Sequence, residues 1–324
     1  MDEARWDLFF RLGMEAYNSG DWNQAIQAFE VTLDEARSLP EPDLRLARSL
    51  NNLACSLGNL GRQVESIALQ EEALRLTQKL LGDDHELVAG SYLNLASDYA
   101  KLERFAEAEA LFQEALRRLE KLGQPQLYAQ GLENFSQFYL SQQKLPEAVD
   151  VLQALAKLQA DQPEPLARCL HTLTHIYDAL GQTEAADASR AQALEIIEKL
   201  WGSHTLAYGE VVANMAESLM AQQRNQEAAA FFKRAAASFA ACVPQDDPRW
   251  VGCLLGQLIC LRDSGQLELA SQLGREVLET WQAHHPEMRR WLNEFGLIAF
   301  LAKNYEEAAS VFERSMQLPG DLPM

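Results

Sequence analysis

The stretch Gly20-Asp21-Trp22-Asn23-Gln24-Ala25-Ile26-Gln27-Ala28-Phe29 decides the fold, because it recurs. An alanine in the same context returns at Ala108 in ERFAEAEALF, Ala148 in KLPEAVDVL, Ala228 in RNQEAAAFF and Ala308 in KNYEEAASVF. Ala186 and Ala270 hold the same place in weaker copies, and Ser66 stands in for the alanine in another. The spacing from one copy to the next runs from 38 to 42 residues over eight units. A fixed period of that size is the signature of a stacked helical array rather than of one globular core.

Each unit reads as two helices. The first carries an apolar stripe ending in a large-small pair: Leu12-Gly13, Leu53-Ala54, Leu95-Ala96, Phe135-Ser136, Met215-Ala216 and Phe295-Gly296. A tight turn follows, marked by Gly20-Asp21, Gly61, Gly181 or Gly265. The second helix opens near the alanine and sets an aromatic four residues later, as in Ala25/Phe29, Ala108/Phe112, Ala228/Phe232 and Ala308/Phe312. Four residues is about one turn, so both lie on one face. Two helices crossing at close range need a small side chain at the contact and a large ring to fill the space beside it.

These residues resemble the tetratricopeptide repeat, with Phe9-x-x-Leu12-Gly13 before Ala25-x-x-x-Phe29 and Tyr92-x-x-Leu95-Ala96 before Ala108-x-x-x-Phe112. The period is longer than the usual 34, which implies longer helices. The junctions from Leu80 to Ala89 and from Leu200 to Ala207, with Ser49-Leu50-Asn51-Asn52-Leu53-Ala54, look like the repeats of kinesin light chains and their bacterial relatives. The resemblance implies an all-α fold, a right-handed superhelical α-solenoid of about eight tetratricopeptide helix pairs. First helices would line a concave groove and second helices would lie outside. One continuous array is expected, with repeats at about 4–38, 43–81, 85–122, 125–160, 164–201, 204–242, 246–283 and 286–318. Residues 319–324 form a short tail. Pro40-Glu41-Pro42, Pro163-Glu164-Pro165 and the segment from Pro244 to Pro248 read as inter-repeat turns. The short, proline-rich tail is not expected to form a polar cap on the last repeat, and apolar surface near Met316 is then an expected route to a homo-oligomer.

Composition narrows the partners. The net charge of −19, from 47 acidic and 28 basic side chains, repels phosphate backbones and anionic lipid headgroups, so neither nucleic acid nor a membrane is the expected partner. The five cysteines, Cys55, Cys169, Cys242, Cys253 and Cys260, form no Cys-x-x-Cys pair; Cys253 and Cys260, seven apart on one helix face, read as small buried hydrophobes, and a reducing compartment is expected. The opening Met1-Asp2-Glu3-Ala4-Arg5 shows no basic leader before an apolar run, and the longest apolar run, 295–302, is too short to cross a bilayer. A cytoplasmic location is expected. No phosphate loop, nucleophile elbow or identifiable catalytic cysteine appears, so no enzyme is expected and no cofactor.

The recurring polar feature is an asparagine one residue before the large-small pair: Asn52, Asn94, Asn134 and Asn214. Asparagine is poor in a helix interior because its amide competes for backbone hydrogen bonds, so its repetition at one address asks for a reason. The resemblance supplies one. In peptide-binding relatives this address faces the groove, and an asparagine ladder grips the main chain of an extended ligand. One amide can donate to a carbonyl and accept from an N–H. The alternative is a hydrogen bond to a neighbouring repeat. Counting in the same register along the first helices adds Phe10, Met14 and Tyr17; Arg48, Asn51 and Cys55; Glu133 and Gln137; Arg168, His171 and His175; Glu210, Ala213 and Glu217; and Arg290 and Asn293. The lysine-arginine clamp that chaperone-tail-binding relatives use for a terminal carboxylate is not reproduced. His171 and His175 share a face, and Asp178 lies nearby, but no His-Glu-x-x-His pattern exists, so they read as polar groove residues without a metal. His85 and His204 are expected to cap the following helices, and His284-His285 to end one. The expected function is an interaction module for a protein or peptide. The alternatives are a regulatory repeat protein answering a signalling peptide, here without the amino-terminal bundle of such relatives, and a self-assembling structural protein.

Overall fold

The computed structural model describes residues 3–280 and 287–318; His284-His285 and the 319–324 tail lie outside the described residues. Among the described residues the chain forms sixteen α-helices and no strand, an all-α solenoid of helix pairs. It divides into two compact units, Met1–Asp161 and Gln162–Met324. In the first unit the pairs are α1 (Glu3–Asn18) with α2 (Trp22–Arg37), α3 (Leu44–Asn59) with α4 (Gln63–Leu81), α5 (Glu86–Lys101) with α6 (Phe105–Leu122), and α7 (Pro125–Ser141) with α8 (Leu145–Leu158). The second unit pairs α9 (Pro163–Ala179) with α10 (Thr183–Trp201), α11 (Leu206–Ala221) with α12 (Asn225–Ala240), α13 (Pro248–Asp263) with α14 (Leu267–Thr280), and α15 (Met288–Leu301) with α16 (Tyr305–Gln317).

The packing follows the large-small logic. Ala25, Ala108, Ala148, Ala186, Ala228 and Ala270 have no exposed surface, and Ser66 is equally buried. The Ser66 hydroxyl donates to the Ala54 carbonyl at 2.7 Å and lies in a short hydrogen bond to the buried Asp98 carboxylate. A β-carbon placed on Gly13 would meet the Phe29 ring at 2.5 Å, on Gly256 the Phe232 ring at 2.7 Å and on Gly296 the Phe312 ring at 2.7 Å. The small residue is thus the seat of the ring four residues beyond an alanine. Trp6 closes the amino-terminal end of the core, its indole donating to Ser49 Oγ at 3.0 Å. At the other end, Met316 is 74% exposed.

The turn between paired helices holds a feature that residue types do not announce. Five residues before each alanine address the backbone has positive φ, at Gly20, Gly61, Gly181 and Gly265, but also at Glu103 (60°), Gln143 (58°), Gln223 (61°) and Lys303 (62°). Glycine adopts this left-handed conformation freely, whereas a β-carbon costs about 1–2 kcal/mol there. Replacing these four residues with glycine is expected to stabilise the fold by about 0.5–1 kcal/mol each, after the entropy that glycine adds to the unfolded chain. The sites are a repeat or more apart, so the gains add. Urea titration of the four-site variant checks this, and a lowered midpoint would refute it.

Two local expectations need correction. His85 does cap α5, its Nδ1 accepting from the Leu87 N–H at 3.2 Å. His204 does not cap α11: Thr205 stands at that position and accepts from the Tyr208 N–H at 3.3 Å. A hydroxyl one residue closer to the helix has the reach that the imidazole lacks. Pro163-Glu164-Pro165 is not a turn but the first turn of α9, where proline loses no helical hydrogen bond.

Candidate ligand-binding clefts

Residues five, two and one before the large residue of each large-small pair, and two after it, fall on one face of the first helices because the α-helix repeats every 3.6 residues. In the first unit this face forms a cleft of about 310 Å³ whose walls include Phe10, Met14, Arg48, Asn51, Asn52, Gly90, Asn94 and Leu127. Three amides form a row across it. Asn94 Nδ2 donates to Asn51 Oδ1 at 3.0 Å, Asn51 Nδ2 to Asn52 Oδ1 at 3.4 Å, and Asn52 Nδ2 approaches the Met14 sulfur at 3.7 Å. Each donation uses one of the two N–H bonds that an amide carries, so the row fixes the orientation of three side chains and keeps donors in reserve. Arg48 is exposed, its guanidinium 4.6 Å above the Phe10 ring and 5.9 Å from that of Trp6. The arginine is held by the rings and not by a carboxylate, which leaves its donors directed at solvent.

The other candidates of this unit lie apart from the cleft walls. Glu133 on α7 accepts from Nε2 of Gln159, the residue that follows α8, at 3.4 Å. Asn134 is half-buried and Gln137 exposed on the same helix. The Tyr17 hydroxyl accepts from Asn59 at 3.1 Å. Burial, helped by the Asp98 carboxylate, pushes the Cys55 thiol up to about 12, so this cysteine is an inert apolar group.

The second unit has a separate cleft of about 690 Å³, lined among others by Glu210, Ala213, Asn214, Glu217, Gly252 and Arg290. Its walls carry two carboxylates, Glu210 and Glu217, and two guanidiniums, Arg249 and Arg290. Arg249, held by Asp247 at 2.9 Å, also reaches Glu210 at 3.0 Å. Burial and the Glu217 carboxylate raise the Cys253 thiol to about 12. Asn293 Oδ1 accepts from Ser315 Oγ at 2.7 Å and so serves packing on α16. Arg168, His171 and His175 line up on α9, outside the walls of this cleft. Asp178, three residues after His175, is committed elsewhere: its Oδ2 accepts from Arg190 at 2.8 Å and from Ser218 at 3.2 Å. Among the described residues no three His, Cys, Asp or Glu side chains converge as a metal site, and no helix is long and apolar enough to cross a membrane.

Models of the tetratricopeptide repeat match residues 46–121, 93–164 and 259–321, together more than half of the chain. The chain belongs to the tetratricopeptide-repeat family. Solved structures agree on the fold. A kinesin-light-chain-type repeat protein of Podosopora anserina superposes with a TM-score of 0.53 at 21% identity, covering 62% of this chain and 99% of its own. Aspartyl phosphate phosphatase F of Bacillus subtilis reaches 0.54 at 14% identity over 99% of this chain and 73% of its own. A Rap protein complexed with competence and sporulation factor reaches 0.52 at 14% identity, over 98% and 75%. No curated protein sequence matches. Tetratricopeptide arrays serve protein–protein interaction through the extended concave surfaces their stacking creates.

Two glycines of this tetratricopeptide protein escape a reading by residue class. Gly90 in α5 and Gly252 in α13 occupy the same address, eighteen residues before Ala108 and Ala270, and Gly90 lines the first cleft and Gly252 the second. A β-carbon built on either meets nothing within 4 Å, unlike Gly13, Gly256 or Gly296. Internal packing therefore does not require them, and each costs its helix about 0.5–1 kcal/mol relative to alanine. The available signal is their repeat address, which aligns them with Arg48, Arg168 and Arg290.

Proposed function

We propose that the protein is a non-enzymatic interaction module that holds an extended peptide segment of a partner against its first helices. The observation that carries this reading is the oriented row Asn94, Asn51 and Asn52 across the first cleft. Phe10 and Met14 lie on one side of the row and Gly90 opens the wall on another. Amides held in place lose little freedom on binding, which favours capture of a main chain whose donors and acceptors they can match. Arg48 supplies a cation beside them. Asn214 and Glu217 give the second unit a further polar surface, to which Arg168, His171 and His175 add on α9. Asn134, Glu133 and Gln137 extend the same register along α7. The strong negative charge favours protein or peptide over nucleic acid and anionic lipid.

A peptide selected from a random-sequence display library on the intact chain tests the reading. Replacing Asn51 and Asn94 together with alanine is expected to weaken that peptide by about 5- to 100-fold, since each amide bond contributes roughly 0.5–1.5 kcal/mol. Calorimetry measures the change. Unaltered affinity in the double variant, or a library that yields no binder, removes the proposal.

A further inference from the structure

We propose that His171 and His175 on α9 form a two-imidazole site for a zinc-type divalent ion, its remaining coordination positions open to water or to a donor from a bound segment. The site stands on its own geometry and is independent of the peptide reading. The two Nε2 atoms face each other at 3.3 Å, and the ring centroids are 4.5 Å apart with planes inclined at 75°. Two nitrogens each about 2.05 Å from one tetrahedral ion lie about 3.3 Å apart, so the observed separation is the one a common ion needs. Without the ion the same two atoms share a proton, one imidazole donating to the other. Metal and proton compete for one position.

The surroundings leave the pair accessible from one side. His171 is half-buried and His175 exposed, so the pair has a fixed side and an open side. Two nitrogen donors and no converging carboxylate select borderline ions such as Zn²⁺ over Mg²⁺ or Ca²⁺, which demand oxygen. Asp178 is not available as a third ligand, because Arg190 and Ser218 hold it. Arg168, exposed one turn before His171, opposes a bound cation.

Zinc titration of the intact chain by calorimetry tests the site, with Mg²⁺ and Ca²⁺ as comparisons. One equivalent of Zn²⁺ is expected to bind. His171→Ala and His175→Ala should each weaken it by more than about tenfold, the loss that removal of even an outer contact to a metal typically brings. The double variant His284→Ala/His285→Ala should bind like the wild type, which separates this pair from the other adjacent histidines. Thermal melting supplies a second readout: Zn²⁺ should raise the midpoint of the wild type and of the His284/His285 variant, and leave both α9 variants unmoved. The His171 and His175 variants put a good helix former at positions outside the buried core, so a loss of binding is not a loss of fold. Absence of zinc binding, or binding unaffected by both α9 substitutions, overturns the proposal.

Discussion

Replacing Asp178 with alanine is expected to lower the unfolding free energy by about 3 kcal/mol, read as a reduced urea midpoint. The carboxylate and Arg190 form an ion pair at 2.8 Å with side-chain exposures of only 9% and 4%. Removing one member of a buried pair leaves the other charge desolvated, and this penalty exceeds the net value of the pair itself. Arg190 keeps a partner in Asp187, whose carboxylate Arg224 also grips at 2.7 and 2.9 Å. That residual pairing holds the loss near the lower end of what buried pairs show. The network joins α9 through Asp178, α10 through Arg190 and Asp187, α11 through Ser218 and the residue before α12 through Arg224. Ser218→Ala, which takes away one hydrogen bond to a charged group, should cost less than the Asp178 substitution. Replacing both members by apolar residues of similar volume, Asp178→Leu with Arg190→Met, should recover most of the stability. An Asp178→Ala protein within about 1 kcal/mol of the wild type would show that the pair is not desolvated as its geometry indicates.

The same network marks the boundary of what the sequence discloses. The repeat address, the alanine, the ring four residues on and the small residue opposite are periodic, and periodicity survives without coordinates. Gly13 beneath Phe29 and Gly296 beneath Phe312 follow from it. Side-chain orientation does not. Counting residues puts Asn51, Asn52 and Asn94 on a groove face, but only the fold shows that the amides point at one another across 43 positions. Asn134 has the same address, yet Phe135, Phe138 and Tyr139 around it pack into an aromatic cluster and the cleft wall does not include it. Asp178 reads from the sequence as a neighbour of His175, whereas its partner lies twelve residues on in the next helix. Left-handed turns at Glu103, Gln143, Gln223 and Lys303 are silent because these residue types carry no preference for positive φ. Gly20, Gly61, Gly181 and Gly265 at the same address were the available clue.

Gly90→Leu is expected to make the protein more stable and a poorer binder. Gly90 is the fifth residue of α5, well inside a sixteen-residue helix, where any side chain with good helix propensity is preferred to glycine. Open space surrounds the position of the missing β-carbon, so a side chain can start there without a clash and gains about 0.5–1 kcal/mol for the helix, a rise of about one degree in melting temperature. The same side chain projects into the 310 Å³ cleft beside Asn94 and Ser91, where it takes volume from a bound segment. Affinity for the display-selected peptide should fall by about tenfold or more, roughly 1.4 kcal/mol. Gly90→Ala should bring the same stability with a smaller loss, because one methyl fills less of the cleft. Gly252→Leu makes the matching test in the second unit, and the variant that weakens binding locates the peptide. Opposite signs for stability and affinity are the point of the experiment: a residue that matters only for folding moves both in one direction. If both leucine variants bind the peptide as the wild type does, the glycines are neutral surface positions, and the Asn51/Asn94 variant alone decides whether the amide row holds a ligand.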